Sequence, residues 1–180
     1  MISPFTIINK KQKALFFAIF SLLFLGSIIM MGALLNEETV STNLQAKYVS
    51  PTFLHPFGTD WLGRDMFSRT IKGLSLSVMV GVLGAVSSTF IAITFGMIAA
   101  TLGKTADRIV SWTIDLFLSV PHLVTLILIA FTLGGGTKAI VVGIALTHWP
   151  SLARIVRAEV MQIRSAPYVQ LSKKMGKSNW

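Results

Sequence analysis

The sequence predicts an all-α membrane protein, a polytopic bundle of four transmembrane helices. Of its 180 residues, 53% are hydrophobic and only 13% are charged, and the mean hydropathy is +0.70. In soluble domains roughly a quarter of all residues are charged. This chain therefore lacks the polar side chains that a water-facing surface requires. Disorder is disfavoured too, since disordered chains have low hydrophobicity. The few charges lie between long uncharged runs, which indicates a membrane topology.

The first uncharged run, residues 14–35, is interpreted as transmembrane helix 1, after a cytoplasmic N-terminus at 1–13. About 20 apolar residues suffice to cross the hydrocarbon core. Lys10, Lys11 and Lys13 precede the run, as in a secretory signal, but a signal core has only about 7–15 apolar residues. No small-x-small cleavage pattern follows the run. We therefore expect a retained anchor.

Three further runs predict helix 2 at 73–103, helix 3 at 109–133 and helix 4 at 139–153. Pro121 is expected to kink helix 3, and the glycines at 134–136 to end it in a tight turn. Helix 4 is short for a full crossing, so we expect Trp149 and Arg154 to lie in the membrane interface. Small residues at every fourth place of helix 2 favour close helix packing.

The distribution of Lys and Arg predicts the orientation. If the N-terminus is cytoplasmic, eleven of the 16 basic residues lie inside and five lie outside. This excess follows the positive-inside rule, so both ends of the chain are expected in the cytoplasm. Modules that bind nucleic acid carry their charge on a solvated face, whereas these charges flank apolar runs. Membrane lipid is therefore an expected partner, and nucleic acid is not.

The extracellular loop, residues 36–72, contains the segment HPFGTDWLGRDMFSRTIKG at 55–73. Thr59 or Asp60 can cap a helix by accepting hydrogen bonds from its free amide groups. Asp60 with Arg64, and Asp65 with Arg69, form acid-first pairs four residues apart, the favourable order on one helix face. The pattern predicts a short amphipathic helix in the outer interface, ahead of helix 2.

The cytoplasmic segment 154–180 predicts a helix, a break and a second short helix. Basic residues lie at helical spacing up to Arg164, and Pro167 is well placed as the first residue of the second helix. That helix, residues 168–175, is expected to end at Gly176 in a left-handed cap. The segment can be a helix held on anionic lipid or a knob that docks on a partner. Periodicity does not separate these two interpretations.

No pattern predicts an enzyme. Residues 176–178 resemble the end of a phosphate-binding loop, but the first glycine of that motif would fall at Leu171 and no strand precedes it. Any ATP hydrolysis is therefore expected from a partner. The histidines, His55, His122 and His148, are scattered and are interpreted as structural or interfacial, so neither a metal nor a cofactor is predicted. Asp115 is either a functional intramembrane group or a side chain that reaches the interface.

The outer segment resembles the signature of the dipeptide/oligopeptide/nickel permease family of ABC importers, G-T-D-x-x-G-R-D-x-x-S-R-x-x-x-G. Nine positions match: Gly58, Thr59, Asp60, Gly63, Arg64, Asp65, Ser68, Arg69 and Gly73. Residues 115–121, the surroundings of Trp149 and residues 153–157 are also similar to that family. The resemblance extends over about residues 5–180.

In that family the cytoplasmic knob is the coupling loop, or EAA loop, which inserts into the ATPase subunit. Its pattern is roughly E-Y-V-x-A-A-R-x-x-G-x-S. The matching positions are Tyr168, Val169, Gly176 and Ser178, with Lys173 at the basic place. The departures are Pro167 at the acidic position, and Leu171 and Ser172 at the two alanines. The resemblance thus favours the docking knob over the lipid-bound helix.

The resemblance implies a multi-pass permease subunit of an importer in the bacterial plasma membrane. Its expected partners are a second permease subunit, two ATP-binding subunits and an extracellular substrate-binding protein. The substrate would be a peptide, or nickel or a nickel chelate, and residues 146–149 favour the nickel branch slightly. Family members have six spans, so the sequence looks C-terminally truncated, and this length alone is expected not to transport. The alternatives are a secondary transporter, a non-transporting membrane anchor or assembly subunit, and an inactive truncated permease.

Overall fold

The computed structural model describes residues 4–36 and 40–176, apart from the side chains of 4–9 and 173. This part of the chain is helical, which confirms the all-α class. Its β-structure amounts to one isolated bridge between Thr59 and Asp65. A short 3₁₀ helix lies at Leu44–Ala46. The α-helices are α1 (Pro4–Leu34), α2 (Met66–Thr101), α3 (Lys104–Leu118), α4 (His122–Thr132), α5 (Gly136–Ser165) and α6 (Pro167–Lys174).

Three stretches of the described helices are long and apolar enough to cross a membrane. They are Lys10–Leu34 within α1, all of α2 and all of α5. Helices α3 and α4 qualify as a fourth span when they are taken together. The polytopic helical fold is therefore confirmed. The bounds of each membrane crossing remain predictions.

The third predicted span is not a single kinked helix. It is divided into α3 and α4, which meet at an angle of 87°. Pro121 occupies the N-cap of α4, with φ −55° and ψ 124°, so it starts a new helix. The physical reason is that proline lacks an amide hydrogen and disfavours helical backbone at the residue before it, here Val120. A kink at Pro121 was therefore the wrong prediction.

The chain divides into two compact units, Met1–Met79 and Val80–Trp180. In the first unit, α1 approaches the beginning of α2 closely. Gly32 lies against Ser75, and a Cβ atom at Gly32 would collide with the Ser75 side chain. Glycine is therefore needed at this crossing. The connection between α1 and α2 folds onto the start of α2 within the same unit.

The second unit has a core of small side chains around one tryptophan, formed by Ala92, Ala99, Val110, Ile114, Trp149 and Ala153. Trp149 is 3% exposed. Its ring lies between Phe95 and Phe117, with centroid distances of 5.0 and 5.4 Å. The indole is thus a core side chain, and the prediction that it lies at the level of the membrane interface stays a prediction.

The predicted small-residue packing of α2 holds only in its second half. A Cβ atom at Gly96 would lie 2.8 Å from Val156 of α5. Ala92 and Ala100 are also buried. By contrast, Gly73 and Gly81 have nothing within 4 Å of an added Cβ. The same spacing therefore marks a helix contact in one half of α2 and open space in the other.

Candidate functional site

The outer signature forms a compact turn, and helix α2 begins only at Met66. The predicted amphipathic helix ahead of the second span is therefore wrong. Gly58 and Gly63 have φ of +68° and +73°, a left-handed conformation that an α-helix does not contain. A Cβ atom at Gly63 would also collide with the backbone carbonyl of Asn43. The two signature glycines are thus required by the turn.

Asp60 lies at the centre of this turn. Its Oδ1 atom accepts hydrogen bonds from the backbone N–H groups of Leu62 and Arg64, both at 2.9 Å. Its Oδ2 atom contacts the guanidinium of Arg64 at 2.7 Å and that of Arg69 at 2.8 Å. The predicted partner of Arg69 was Asp65, so this pairing is corrected. The Asp60–Arg64 pair exists, although it closes a turn and not a helical face.

These contacts explain the acidity of Asp60. Partial burial acts to raise the pKa of its carboxyl group, but the hydrogen bonds from Arg64 and Leu62 outweigh that effect and lower the pKa to about 2. The carboxylate therefore stays ionised at any ordinary pH. All of its strong donors are groups of the chain itself, which favours a structural role.

Asp65, and not Thr59 or Asp60, caps the helix. Its Oδ2 atom accepts a hydrogen bond of 2.7 Å from the backbone N–H of Ser68, in the third position of α2. Its Oδ1 atom lies 3.1 Å from Nδ1 of His55. Burial acts to raise the pKa of Asp65, but the bonds from Ser68 and the contact with His55 lower it overall. His55 is thereby a structural residue of the loop, as predicted.

Thr59 connects the preceding part of the loop, at Ala46 and Val49, to this turn by hydrogen bonds. Its hydroxyl donates to the carbonyl oxygen of Ala46 at 2.5 Å and accepts from the backbone N–H of Val49 at 2.9 Å. Thr59 and Ser68 are both buried. Eight of the nine signature residues thus lie together in one clasp between the loop and α2. Gly73 is the exception, because it lies beyond the clasp with open space around it.

The helix pair formed by α5 and α6 has the predicted helix–break–helix geometry. Helix α5 ends at Ser165, and Ala166 is extended, with ψ 140°. Its carbonyl oxygen accepts from the backbone N–H groups of Val169 and Gln170 at 3.0 and 3.1 Å. Pro167 is the first residue of α6, and Gly176 has φ +76°. The break therefore follows from an extended residue before a proline, and the end from a left-handed glycine.

Helix α6 exposes large apolar side chains. Tyr168, Leu171 and Met175 are 66, 61 and 83% exposed, and their spacing of three and four residues places them on one face. Val169 and Ser172 are half-buried. The side chain of Lys173, and all of Ser178, lie outside the described residues. The apolar face of α6 is the kind of surface that docks on a protein or on lipid.

Within the second unit, ion pairs join α5 to α3. The guanidinium of Arg157 on α5 grips both carboxylate oxygens of Asp107 on α3, with Nη2 at 2.7 Å from Oδ2. Arg154 lies 2.7 Å from Asp115. Asp115 thus pairs with an arginine of α5, and both interpretations of it, as an intramembrane functional group or as a side chain at the interface, stay predictions. The sequence showed the arginine spacing, but no local pattern pairs residues 50 positions apart.

A cavity of about 650 Å³ lies in the second unit, between α2, the start of α4 and α5. The rings of His122 and His148 meet at its wall, with centroids 4.7 Å apart and planes at 89°. The sequence analysis treated the histidines as scattered and did not predict this contact. The contact depends on how α4 and α5 pack, which no local pattern shows. Among the described residues, no group of three or more metal-binding side chains occurs.

The fold and these sites define a polytopic helical membrane protein with a signature clasp before α2 and a helix pair formed by α5 and α6. Residues 92–180 match the family described as binding-protein-dependent transport system inner membrane component. Over these residues the chain matches this permease family, which confirms the resemblance drawn from the signature residues.

Similar curated proteins include permeases of bacterial peptide transport systems. The chain is 36% identical over 168 residues to the dipeptide transport system permease protein of Bacillus subtilis, covering 93% of this chain and 52% of that protein. It is 37% identical over 136 residues to the oligopeptide permease protein of the same organism, covering 76% and 45%. It is 31% identical over 163 residues to the probable D,D-dipeptide permease protein of Escherichia coli, covering 91% and 55%. The chain spans about half the length of these relatives.

Proposed function

We propose that this chain acts as a permease subunit of an ABC importer for peptides. The observation that carries this proposal is the similarity along most of the chain to permeases that are named for dipeptide and oligopeptide transport. The helices would form part of the translocation path. The chain would bring no catalytic residues of its own, and ATP would be hydrolysed by partner subunits.

Peptides are preferred to nickel as the substrate class. The slight leaning of residues 146–149 toward the nickel branch rests on four residues, whereas the relatives reported above are all named for peptides. The described residues also lack a cluster of three metal-binding side chains. A nickel importer would have to bind its metal in another way.

The proposed assembly contains a second permease subunit, two ATP-binding subunits and an extracellular substrate-binding protein. It would lie in the bacterial plasma membrane, with the N-terminus and α6 in the cytoplasm. The exposed face of Tyr168, Leu171 and Met175 supports docking of α6 on an ATP-binding subunit, because a surface of large apolar side chains favours a protein contact. The ion pair of Arg157 with Asp107 would carry a displacement of α6 into the membrane helices.

Substitution of Gly176 tests the coupling role. Gly176 has a left-handed φ of +76°, and nothing lies within 4 Å of an added Cβ. Gly176→Val is therefore expected to distort the end of α6 through its backbone alone, since β-branched residues avoid this conformation. When the substitution is made in a full-length permease together with its partner subunits, we expect at least a tenfold loss of ATP-dependent dipeptide uptake in cells, with unchanged amounts of protein in the membrane. Gly176→Asn is the matched control, because asparagine tolerates the left-handed conformation.

The result separates the proposal from its alternatives. Normal uptake by Gly176→Val would contradict the coupling role of α6. Uptake that persists without ATP would favour a secondary transporter. A chain that stays in the membrane but supports no peptide uptake, even with its partner subunits, would favour a non-transporting anchor or assembly subunit.

A further inference from the structure

The 650 Å³ cavity of the second unit carries polar groups but no charged side chain. It is lined by Gly81, Ala85, Ser88, Thr89, Leu118, His122, Ile144, Thr147, His148, Ser151 and Leu152. None of these residues is an aspartate, glutamate, lysine or arginine. A charged group of a ligand would lose its hydration here without gaining an opposite charge, which is costly. A neutral polar group would lose much less.

The hydrogen bonds of His148 fix which of its ring nitrogens is free. Nδ1 lies 3.1 Å from the backbone carbonyl oxygen of Ile144, one turn earlier in α5. Since a carbonyl oxygen can only accept, Nδ1 of the neutral ring carries the proton, and Nε2 is left with a lone pair. The edge-to-face contact with His122 holds the ring in place at the cavity wall. Nε2 of His148 is therefore an oriented hydrogen-bond acceptor.

Two hydroxyl groups of the lining, like Nε2 of His148, can act as hydrogen-bond acceptors toward a ligand. The hydroxyl of Ser88 donates to the carbonyl oxygen of Ala85 at 3.1 Å, and that of Thr147 donates to the carbonyl oxygen of Gly143 at 2.8 Å. Each hydroxyl has a single hydrogen, so both offer only lone pairs to a ligand. Together with His148, they give the lining of the cavity three side chains that can accept a hydrogen bond.

We propose that this cavity binds the amide N–H of a peptide bond, with Nε2 of His148 as its acceptor. The inference rests on the proposed function, because it names the part of a peptide that the permease recognises. An amide N–H is a neutral donor and therefore fits an uncharged wall that offers acceptors. The terminal carboxylate of a peptide would find no positive charge in this lining, and its terminal ammonium would find no carboxylate. Recognition of the peptide bond itself also leaves the side chains of the substrate free to vary.

Two dipeptides that differ by one hydrogen-bond donor test this inference. Glycylglycine has an amide N–H, whereas glycylsarcosine has a methyl group in its place, and both keep the same termini. Their dissociation constants are measured by saturation-transfer NMR on the full chain in lipid nanodiscs. We expect glycylglycine to bind about three- to tenfold more tightly, the ratio that one neutral hydrogen bond provides.

Variants of His148 test whether the difference in affinity between the two dipeptides is due to Nε2. His148→Gln keeps an acceptor oxygen near the position of Nε2 and should keep the preference for glycylglycine. His148→Asn reaches only to the position of Nδ1 and should bind both dipeptides equally. His55→Asn, in the outer clasp, is the control and should behave like the unaltered chain.

Four results would overturn the inference: no binding of either dipeptide, equal binding by the unaltered chain, a preference that survives in His148→Asn, or one that is lost in His148→Gln. The measurement does not depend on uptake. A chain that shows the contrast but supports no peptide transport in cells would refute the proposed function alone. Peptide transport without the contrast would refute only the role of His148.

Discussion

At the scale of single residues, the outer clasp depends on Asp60. This one carboxylate accepts two backbone hydrogen bonds and contacts two guanidinium groups. It therefore holds the turn, the following residues and the first turn of α2 in one geometry. The signature residues around it support this geometry, and none of them is left as an evident group for binding substrate.

The clasp should weaken in acid. The pKa of Asp60 is lowered from 3.8 to about 2 in the folded chain, so the ionised form stabilises the folded clasp. This contribution is complete above pH 4 and is lost as the pH falls from about 4 to about 2. The protection factors of the amides of Leu62 and Arg64, which are exchange rates referred to the intrinsic rate at each pH from 6 to 2, should fall in that window. Asp60→Asn should show low protection throughout, and protection of the unaltered chain that is unchanged at pH 2 would contradict this account.

The two signature glycines Gly63 and Gly73 should respond differently to the same substitution. Gly63→Ala strains a left-handed backbone by about 1–2 kcal/mol and adds a collision with Asn43. We expect the clasp to open and proteases to cleave within residues 43–63. Gly73→Ala meets open space within α2 and should stabilise the helix by up to about 1 kcal/mol. Equal protease resistance of the two variants would show that the turn does not depend on Gly63.

At the scale of elements, α5 is the helix that joins the cavity wall to α6. Its first half carries His148 and the buried Trp149, and its second half carries the arginines that bind α3. The bidentate contact between Arg157 and Asp107 is partly buried, with side chains 28 and 27% exposed. The contact between Arg154 and Asp115 is largely exposed, at 57 and 68%. Both pairs join an arginine of α5 to an aspartate of α3. The pair of Arg157 with Asp107 is bidentate and less exposed to solvent than the pair of Arg154 with Asp115.

Double-mutant cycles should distinguish the two pairs. Asp107→Asn combined with Arg157→Gln should give a coupling energy of about 1 kcal/mol in thermal unfolding in detergent, because the pair is bidentate and partly shielded. Asp115→Asn combined with Arg154→Gln should give a coupling close to zero, because water and salt screen an exposed pair. The reverse order would mean that burial does not decide the strength of these contacts.

At the scale of the whole molecule, the orientation in the membrane remains a prediction from charge. The chain has no cysteine, so single cysteines can report it directly. Phe53→Cys, at a fully exposed loop position, should react with a membrane-impermeant thiol reagent in intact cells. Tyr168→Cys should react only after the cells are opened. Ala92→Cys is the control and should stay unlabelled in both cases, because Ala92 is 0% exposed. Labelling of Tyr168→Cys in intact cells would show that the chain has the opposite orientation in the membrane.

The local predictions succeeded where neighbouring residues decide the structure. Pro167 begins α6 and Gly176 has the left-handed conformation, because proline and glycine restrict or free their own backbone. The outer helix was predicted wrongly because Asp60 and Arg64 have the spacing of a helical pair, while Gly58 and Gly63 impose a turn. Charge spacing is the weaker signal when a glycine adopts a positive φ.

The sequence by itself determined the helical membrane class, the signature that marks the family and the break between α5 and α6. Each follows from apolar length or from the backbone preference of a residue in the chain. Only the tertiary structure decided that Arg69 pairs with Asp60, that Trp149 is buried and that His122 meets His148. Such contacts join distant positions, and their geometry depends on the packing of whole helices, which no local pattern encodes.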